Sequence, residues 1–546
     1  MGKFDRMQKH AGPFATLTSP VRAVTPARTH EGGPAYSRDV KSELFLLAVT
    51  NMVGEDTFYE RADARDVRFR DLVHAATKED ADWAARFVPW LRNTANMRSA
   101  SVVAAVEYIR AGGPFGRRVI DSAIARADEP AEALAYFTSR YGRALPQPVK
   151  RGVADAATRL YNERTALKYD GLSRAWRMAD VIELTHAKPR DEAQSALFRW
   201  LLDRRHDRAD AATPAPVLRM LHAHAELQAL APAERRALVE AGSVDADVAA
   251  RLTAAGMTWE SLAGWLGGAM DRAAWEVVIP SMGYMALLRN LRNFDDAGVG
   301  DDVAARVAAK LADPDEVARS RQFPYRFVSA YDAAPSLRWA YALEKALEVA
   351  TRNLPAFPGR TLVLVDTSAS MSQRAFSRRS TMTPVKAAAV FGVALAKQGN
   401  AVDLYGFADG VFRHKMRRSA SVLAEVERFV TRVGEVGHGT RIAESLRATY
   451  DGHDRVVVIS DMQTFADSRM HVVGGMGARY TQVAVDPVAG DSVPRSVPVY
   501  GFNLGGYRAT VLDAGRGNRH EFGGLNDATF TMLQLLEQRE SAGWPF

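Results

Sequence analysis

The chain has 546 residues, of which 47% are hydrophobic and 25% charged. This composition excludes an intrinsically disordered protein and allows about two to five packed domains. The absence of cysteine excludes disulfide frameworks, cysteine nucleophiles and thiolate metal sites, and it is typical of a reducing, cytoplasmic compartment. Because no apolar run reaches the roughly 18 residues of a membrane span, the sequence predicts no membrane partner.

The first part of the chain has a helical texture. Residues 1–37 are rich in Pro, Thr and Gly and predict an extended N-terminal arm. From residue 38 to about residue 355, apolar residues recur at spacings of three and four, which predicts about 15 to 20 amphipathic helices. Helices in such a long series usually stack in pairs. The region is therefore predicted to be an all-α helical-repeat domain.

The formal net charge is +7, and part of the excess is local, because residues 140–190 carry eleven basic and five acidic residues. Clustered Lys and Arg side chains favour an anionic partner such as nucleic acid, with a solvated helix face as the alternative. Tyr169 and His186 could stack on an unpaired base, although His186 could equally be a helix-terminal histidine satisfied by backbone. The basic residues placed on helices or their ends are Lys150, Arg151, Arg159, Arg164, Lys168, Arg174, Arg177, Lys188 and Arg190.

Beyond residue 355 the texture changes to alternating strands and helices. This alternation predicts a doubly wound α/β domain over residues 356–546, with a parallel sheet covered on both faces. The predicted strands are 361–366, 401–408, 455–461, 480–486 and 497–503, and the predicted helices are 384–398, 419–432, 441–449 and 526–540.

Oxygen-bearing side chains stand where three of these strand–helix junctions are predicted. The string DTSAS follows the first strand, Thr440 opens a helix, and Asp461 ends the strand RVVVISD. Open α/β sheets gather their ligands at this edge. Two carboxylates and three hydroxyls without His or Cys form a hard ligand set suited to Mg²⁺, with Mn²⁺ as the alternative. The candidate metal ligands are Asp366, Ser368, Ser370, Thr440 and Asp461.

This arrangement resembles the metal-ion-dependent adhesion site of von Willebrand factor A domains. The resemblance implies that the two serines and the threonine bind the cation directly, with the two aspartates completing its shell. Met462 follows Asp461 where many A domains have Gly. The alternative interpretation is that Asp366 and Asp461 only cap helices and hold no ion.

Four blocks of the helical region together resemble the TROVE domain of Ro autoantigen proteins, including the bacterial Ro proteins. They are EGGPAYSRDVKSELFLLAVTN (31–51), ALKYDGLSRAWRMADVIELTHAKPRD (166–191), YMALLRNLRNF (284–294) and SRQFPYRFVSAY (320–331). The resemblance implies a closed ring of HEAT-like repeats that binds Y RNA on its rim and single-stranded 3′ ends of misfolded RNA in its hole. It also implies a monomer that works with a 3′-to-5′ exoribonuclease such as polynucleotide phosphorylase.

The resemblance also identifies candidate RNA contacts. Lys168, Arg174 and His186 match basic and His positions that contact RNA in the family, and Lys150 and Arg151 lie in the same basic segment. In the third block, the aromatic and leucine residues are predicted to face the core. Arg289 and Arg292, three residues apart, share a face that could contact RNA or make structural ion pairs.

No nucleophile elbow, P-loop or Gly-rich dinucleotide turn occurs in the sequence, and two carboxylates are few for a two-metal nuclease. A non-catalytic RNA-binding protein acting in RNA quality control is therefore the first expectation. The alternative is a metal-dependent protein–protein adaptor whose helical half is a protein scaffold.

Overall fold

The structure is a computed structural model, and its described residues fall into two compact units. The α/β unit comprises the chain up to Ala76, residues Phe323–Tyr325 and residues Thr351–Phe546, and the helical unit comprises Thr77–Gln322 and Arg326–Ala350. The described residues are 19–50, 54–208, 213–243, 245–320, 322, 324–352, 357–376, 381–399, 401–417, 419–465, 493–525, 532–533, 535–538 and 543–546.

The α/β unit contains two sheets and short flanking helices, numbered here along the whole chain. Its strands are β1 (Ala23–Arg28), β2 (Pro34–Arg38), β3 (Arg360–Asp366), β4 (Ala401–Phe407), β5 (Val411–Arg413), β6 (Arg455–Ser460), β7 (Val499–Asn503), β8 (Ala509–Thr510) and β9 (Arg519–Gly523). Its helices are α1 (Val40–Thr50), most of α2 (Ala62–Glu79), α21 (Ala369–Ser372), α22 (Pro384–Gln398), α23 (Val422–Val430) and α24 (Ile442–Thr449).

The larger sheet has the strand order β5-β4-β3-β6-β7-β9. Strands β4, β3, β6, β7 and β9 run parallel, and β5 is an antiparallel edge. β3 and β6 are continuous apolar runs because both of their faces are covered, and Leu362, Leu364, Val456 and Val458 form part of one core. The doubly wound α/β architecture predicted from the alternating pattern is confirmed.

Most of the predicted elements of this unit lie where the sequence pattern put them. β3, β4, β6 and β7 correspond to predicted strands, and α22 has the predicted bounds. β5, β8 and β9 were not predicted, since two of them have at most three residues and β9 contains His and Glu. The predicted strand 480–486 lies outside the described residues, and so does much of the predicted helix 526–540.

The N-terminal region differs from the predicted arm over residues 1–37 and from the predicted boundaries at residues 38 and 355. From Ala23 onwards it forms the antiparallel pair β1–β2, and β2 pairs with β8. At the end of β2, the fully buried Arg38 guanidinium makes a bidentate ion pair with Glu521 on β9, at 2.6 and 2.8 Å. Residues 19–76 therefore pack as part of the α/β unit, a long-range association that local sequence patterns do not encode.

The helical unit is a succession of short helices, in agreement with the predicted series. Helices α5 and α7 pack on each other, α5 also contacts α3, and α7 contacts α9, so alternate helices stack in one layer. The helices are α3 (Ala81–Asn93), α4 (Arg98–Arg110), α5 (Gly116–Ala123), α6 (Glu129–Tyr141), α7 (Gln147–Leu160), α8 (Glu163–Tyr169), α9 (Met178–Thr185), α10 (Glu192–Arg205), α11 (Arg219–Gln228), α12 (Pro232–Gly242), α13 (Ala246–Ala254), α14 (Trp259–Leu266), α15 (Arg272–Val278), α16 (Tyr284–Asp296), α17 (Asp301–Ala312), α18 (Pro314–Ser320), α19 (Tyr325–Ala333) and α20 (Leu337–Thr351).

Side-chain caps define where several of these helices begin. Asp80, Asp191 and Asp271 each accept a hydrogen bond from the backbone N–H three residues further on, at 2.7 to 3.0 Å. A carboxylate at this position satisfies an otherwise unpaired donor and opposes the positive end of the helix dipole. Among the helices that the structure describes, none combines the length and the apolar character that a membrane span requires.

Candidate metal-ion site and basic surface

The candidate metal ligands come from three junctions of the α/β unit. Asp366 ends β3, Asp461 follows β6, and these two strands are neighbours in the sheet, with Val365 opposite Ile459. Their last residues therefore reach the same sheet edge. Ser368 and Ser370 lie in the turn into α21 and at its start, and Thr440 lies just before α24. All five side chains are buried, between 0% and 6% exposed.

Hydrogen bonds hold the first of these junctions in a fixed conformation. One Asp366 carboxylate oxygen accepts the Ser368 backbone N–H at 2.9 Å, and the other accepts the Ser460 hydroxyl at 2.5 Å. The Ser368 and Ser370 hydroxyl oxygens lie 3.2 Å apart. Ser460 is a supporting residue that the sequence reasoning missed, because within the strand pattern it reads as an ordinary strand residue.

The third junction is joined to the loop that follows Asp461. The Thr440 carbonyl accepts hydrogen bonds from the Phe465 backbone N–H at 2.9 Å and from the Thr464 hydroxyl at 3.0 Å. One Asp461 carboxylate oxygen accepts the Gln463 backbone N–H at 3.2 Å. The other, Oδ2, is buried and has no hydrogen-bond partner among the described residues. Such an atom is costly to bury unless something else satisfies it.

The electrostatics of the two buried aspartates also favour a bound cation. Burial raises the pKa of Asp366, and burial together with the nearby Asp366 charge raises the pKa of Asp461 further. Two carboxylates that share a buried site repel each other when both are ionised. A divalent cation would remove that repulsion and would also satisfy the unpaired Asp461 oxygen. Two carboxylates and neighbouring hydroxyls fit a hard cation such as Mg²⁺.

The N-terminal segment covers this edge of the sheet, which the sequence did not predict. The Thr29 hydroxyl donates to the Thr464 carbonyl at 2.6 Å, and the His30 backbone N–H donates to the Gln463 side chain at 2.8 Å. At Gly33, a Cβ atom would lie 2.3 Å from the Thr464 carbonyl oxygen, so only glycine allows this approach. The N-terminal segment therefore holds the loop that follows Asp461 in place.

Aromatic rings from the same segment lie beside the site. Tyr59 stacks on His30 with centroids 5.1 Å apart, and it meets Tyr507 edge-on at 5.2 Å. Ser370, Asp461 and Tyr507 line one cleft together with residues from 55–58. The candidate site therefore borders a cleft whose walls come from both ends of the chain.

The candidate RNA contacts lie on consecutive helices of the helical unit. Lys150 and Arg151 are on α7, Lys168 is on α8, Arg174 is in the α8–α9 loop, and His186 is at the end of α9. Lys150 is half-buried and the other four are exposed. Among the described residues, none of the five makes an ion pair. Cations without a carboxylate partner remain available to an anionic ligand.

Two other members of the predicted basic cluster have structural roles. Arg177 is buried and pairs with Asp170 at 2.6 Å. Arg159 pairs with Asp121 at 2.8 Å and also donates to two backbone carbonyls. These two arginines were not among the candidate RNA contacts, and the structure gives both of them protein partners. Asp121 lies 38 positions before Arg159, and Asp170 lies 7 positions before Arg177 on the other side of the α8–α9 loop, so helical spacing reveals neither pair.

The candidate base-stacking residues are placed differently from each other. Tyr169 is half-buried, with the Arg126 guanidinium 5.2 Å and the Lys168 ammonium 5.4 Å from its ring centroid. His186 ends α9 with a left-handed φ of 55° and an exposed side chain. The helix-terminal alternative for His186 is right about its backbone position. An exposed ring on a fixed helix end is accessible to a base.

The third block divides by face as predicted. Tyr284, Leu287, Leu288 and Leu291 on α16 are all buried. Arg289 and Arg292 are both exposed, and Arg292 lies 3.9 Å from Asp296, one turn further along the same helix. An ion pair this exposed contributes little to stability.

Comparisons with known proteins agree with these features. The family model of the TROVE domain matches residues 253–388, a stretch that includes the third and fourth blocks and continues past the predicted boundary at residue 355. The chain is 25% identical over 409 residues to the RNA-binding protein RO60 of Deinococcus radiodurans, covering 70% of this chain and 73% of the relative. The resemblance to the Ro family is thereby confirmed.

The fold is also shared with a solved structure. The crystal structure of the Deinococcus radiodurans RO (RSR) protein matches with a TM-score of 0.59 and 19% identity, over 91% of this chain and 100% of that chain. The predicted combination of a helical-repeat region with an α/β region of the von Willebrand factor A type is therefore confirmed as the fold class.

Proposed function

We propose that this chain is a non-catalytic RNA-binding protein of the Ro type. RNA binding as such is supported by the similarity to the Deinococcus RNA-binding protein and by the TROVE match. The finer proposal is that it binds small noncoding Y-like RNA and the single-stranded 3′ ends of misfolded RNAs. In this role it would work in cytoplasmic RNA quality control, as a monomer that delivers RNA to a 3′-to-5′ exoribonuclease such as polynucleotide phosphorylase.

The observation that carries the proposal is the exposed basic surface on α7, α8 and the loop after α8. Arg151, Lys168 and Arg174 are exposed and make no ion pair among the described residues. Phosphate contacts of this kind supply affinity without reading sequence. The exposed ring of His186 adds a group that can stack on an unpaired base or bond to its edge. Structured RNA with an accessible single strand fits both features.

The test is nitrocellulose filter binding of a structured small RNA at two salt concentrations. If several phosphates are contacted, affinity should fall steeply with salt, by roughly one power of the salt concentration per contact. Binding that is weak and insensitive to salt would contradict the RNA proposal. A pool of co-purified RNA, once sequenced, would then name the ligands.

We further propose that Asp366, Ser368, Ser370, Thr440 and Asp461 hold one divalent cation, Mg²⁺ or alternatively Mn²⁺. The unpaired Asp461 oxygen and the two mutually repelling carboxylates support this proposal. When bound, the cation would supply a Lewis-acidic position for an acidic side chain or a phosphate oxygen. Mn²⁺ binding, followed by electron paramagnetic resonance, tests the site directly.

A second candidate function is a metal-dependent protein–protein adaptor whose helical region is a protein scaffold. The cleft beside Ser370 and Asp461 favours it, because an acidic side chain of a partner could enter there. The filter-binding experiment separates the two functions. An adaptor of this kind would not bind RNA tightly at either salt concentration.

A further inference from the structure

The start of α5 presents an exposed aromatic ring on a strained backbone. Phe115, the residue before α5, has a φ of +57° and is 68% exposed. Gly and Asn adopt this left-handed conformation readily, whereas a bulky aromatic residue does so only at a cost in free energy. An exposed ring recovers little of that cost through packing. Strained residues of this kind persist where their surroundings impose the conformation, and they cluster at ligand-binding positions.

Contacts on both sides of Phe115 impose its conformation. The Tyr108 hydroxyl donates a hydrogen bond of 2.7 Å to the Pro114 carbonyl. Gly113 packs so closely on the Tyr108 ring that a Cβ atom would lie 2.3 Å from it. On the other side, the Phe115 carbonyl accepts the Arg118 backbone N–H at 2.9 Å. These contacts hold the backbone without using the Phe115 ring, which stays in solvent.

The Phe115 ring forms part of the wall of a cleft lined by residues of α3 and α5. The cleft has a volume of about 460 Å³, which lies within the roughly 300–1,000 Å³ that is typical of small-ligand pockets. Pro89 and Val119 add further apolar lining. A flat, partly apolar group can therefore lie against the ring.

Two arginines and one aspartate supply the charges of this cleft. The Arg118 guanidinium lies 5.9 Å from the centroid of the Phe115 ring, and Arg118 makes no ion pair among the described residues. Arg86 and Asp82 also line the cleft. A phosphate alone would be repelled by the Asp82 carboxylate, whereas a nucleobase presents N–H groups from which a carboxylate accepts hydrogen bonds. The combination therefore favours a nucleotide, with its base in the cleft and its phosphate at an arginine.

The cleft adjoins the helix that carries two of the candidate RNA contacts. A Cβ atom at Gly152 of α7 would lie 2.5 Å from the Arg117 carbonyl oxygen, and Arg117 pairs with Asp155 of α7 at 2.6 Å. Lys150 and Arg151 directly precede Gly152 on the same helix. Since the axes of packed helices lie about 8–10 Å apart, an RNA strand that contacts α7 can extend to α5.

We propose that Phe115 and Arg118 form a nucleobase-binding site for single-stranded RNA. The base stacks on the Phe115 ring, Arg118 pairs with the adjoining phosphate, and Asp82 accepts a hydrogen bond from the base. The inference rests on the RNA binding proposed above and adds a site on α5 to the candidate contacts on α7, α8 and α9. Because paired bases cannot leave the duplex to stack on a side chain, the site should select single strands over duplex RNA.

The experiment is binding of the full chain to fluorescently labelled, single-stranded oligouridylate, measured by fluorescence anisotropy. Phe115→Asn removes the ring and suits the left-handed backbone, so affinity should fall about 10-fold. The free energy of unfolding of this variant, measured by urea denaturation, should equal or exceed that of the wild type. Affinity for a fully paired RNA should not change. A less stable Phe115→Asn protein that binds both RNAs as the wild type does would show a purely structural ring.

Arg118→Met tests the phosphate contact separately. It keeps the length of the side chain and removes the charge, so oligouridylate affinity should fall by a smaller factor, about threefold. The slope of log affinity against log salt should fall by about one in Arg118→Met. It should stay at the wild-type value in Phe115→Asn, which removes no charge. An unchanged slope in Arg118→Met would refute the phosphate contact.

The matched control is Tyr341→Ala on α20. Tyr341 is 72% exposed, with the Lys345 ammonium 5.8 Å from its ring centroid, but Lys345 pairs with Glu348 at 2.8 Å. This variant also removes an exposed ring beside a cation, and its oligouridylate affinity should equal that of the wild type. Equal losses in Tyr341→Ala and Phe115→Asn would overturn the assignment to this cleft.

Photocrosslinking locates the base directly. Oligouridylate that contains iodouridine should crosslink to the tryptic peptide 111–117, which includes Phe115, in the wild type and not in Phe115→Asn. A wild type that binds neither oligouridylate nor structured RNA would refute RNA binding itself, and this site with it. If the wild type binds RNA while Phe115→Asn binds oligouridylate equally tightly, RNA binding stands and only the site at Phe115 is refuted.

Discussion

The candidate metal ligands of the α/β unit and the candidate RNA contacts of the helical unit lie in opposite environments. In the α/β unit, Asp366, Ser368 and Asp461 are at most 3% exposed. In the helical unit, Arg151, Lys168 and Arg174 are exposed and make no ion pairs among the described residues. A buried polar cluster must satisfy its own members or bind something that does so. The side chains of an exposed basic surface are hydrated until an anion displaces the water. Whether the surface binds RNA is therefore tested by measuring RNA affinity and its dependence on salt.

This difference between the two candidate sites predicts that a substitution in one unit leaves the binding function of the other unit unchanged. The largest effect should follow from Asp366→Ala, which removes one of only two carboxylates in the candidate metal site. Because loss of a residue that hydrogen-bonds to a metal ligand costs about 10- to 100-fold in affinity, loss of a charged ligand should weaken Mn²⁺ binding by about 100-fold or more. RNA affinity, measured on the same preparations, should equal that of the wild type.

Two outcomes would contradict this separation. Persistent Mn²⁺ binding in Asp366→Ala would show that the ligand set is wrong. Loss of RNA binding in a folded Asp366→Ala protein would show that the cation contacts RNA, so that the two sites are one. Ser370→Ala removes a candidate ligand without changing any charge, and it provides a second variant in case the buried Asp366 is also needed for folding.

The second prediction tests whether residues 19–76 belong energetically to the α/β unit. Arg38→Met leaves Glu521 buried without its cation and should lower the free energy of unfolding by about 3–5 kcal/mol. Adding Glu521→Gln removes the unpaired charge and should recover part of that loss. Urea denaturation measures both effects. An Arg38→Met protein as stable as the wild type would show that the N-terminal strands do not stabilise this unit.

The sequence could predict the ligands of the metal site but not their surroundings. Asp366 and Asp461 stand at the ends of apolar strands, and parallel neighbours in a sheet bring their ends together. Tyr59 and Ser460 carried no such signal, because their partners are defined only by the folded chain. β8 was missed for a related reason, since two residues are too few to show a period.

The basic surface of the helical unit also shows what sequence spacing can and cannot predict. Spacing located Lys168 and Arg164 on one face of α8, and both are exposed. It could not tell them from Arg177, which is buried against Asp170. Local charge therefore predicts where an anion-binding surface lies. Which Lys and Arg side chains are available to bind the anion depends on whether each one already pairs with a carboxylate of the protein.

The third prediction concerns a buried titratable group of the α/β unit. His520 on β9 is buried, and neither ring nitrogen has a hydrogen-bond partner among the described residues. Burial, with a smaller effect of Arg519, lowers its pKa from 6.5 to about 4. The neutral ring is therefore favoured in the folded state, so its contribution to stability is present above pH 6.5 and is lost as the pH falls towards 4. The expected loss is about 3 kcal/mol.

His520→Phe keeps an aromatic ring beside Tyr500 and removes the titration. Urea denaturation at pH 7 and at pH 4.5 should show a smaller decrease in stability for His520→Phe than for the wild type. Equal decreases would mean that other groups set the acid sensitivity of this unit.

The smallest expected effect belongs to the exposed surface. Changing Lys168 and His186 together to Ala removes one phosphate contact and one ring accessible to a base, and it should weaken binding of a structured small RNA about 10-fold. The slope of log affinity against log salt should fall by about one, because one lysine is removed. Mn²⁺ binding should not change.

The matched control is Arg272→Ala with Arg319→Ala, two exposed arginines of the same unit that pair with Glu276 and Glu316. Equal losses of RNA affinity in both double variants would show that general positive charge, and not this surface, attracts the RNA. Wild-type affinity in the Lys168 and His186 variant would place the RNA elsewhere on the helical unit.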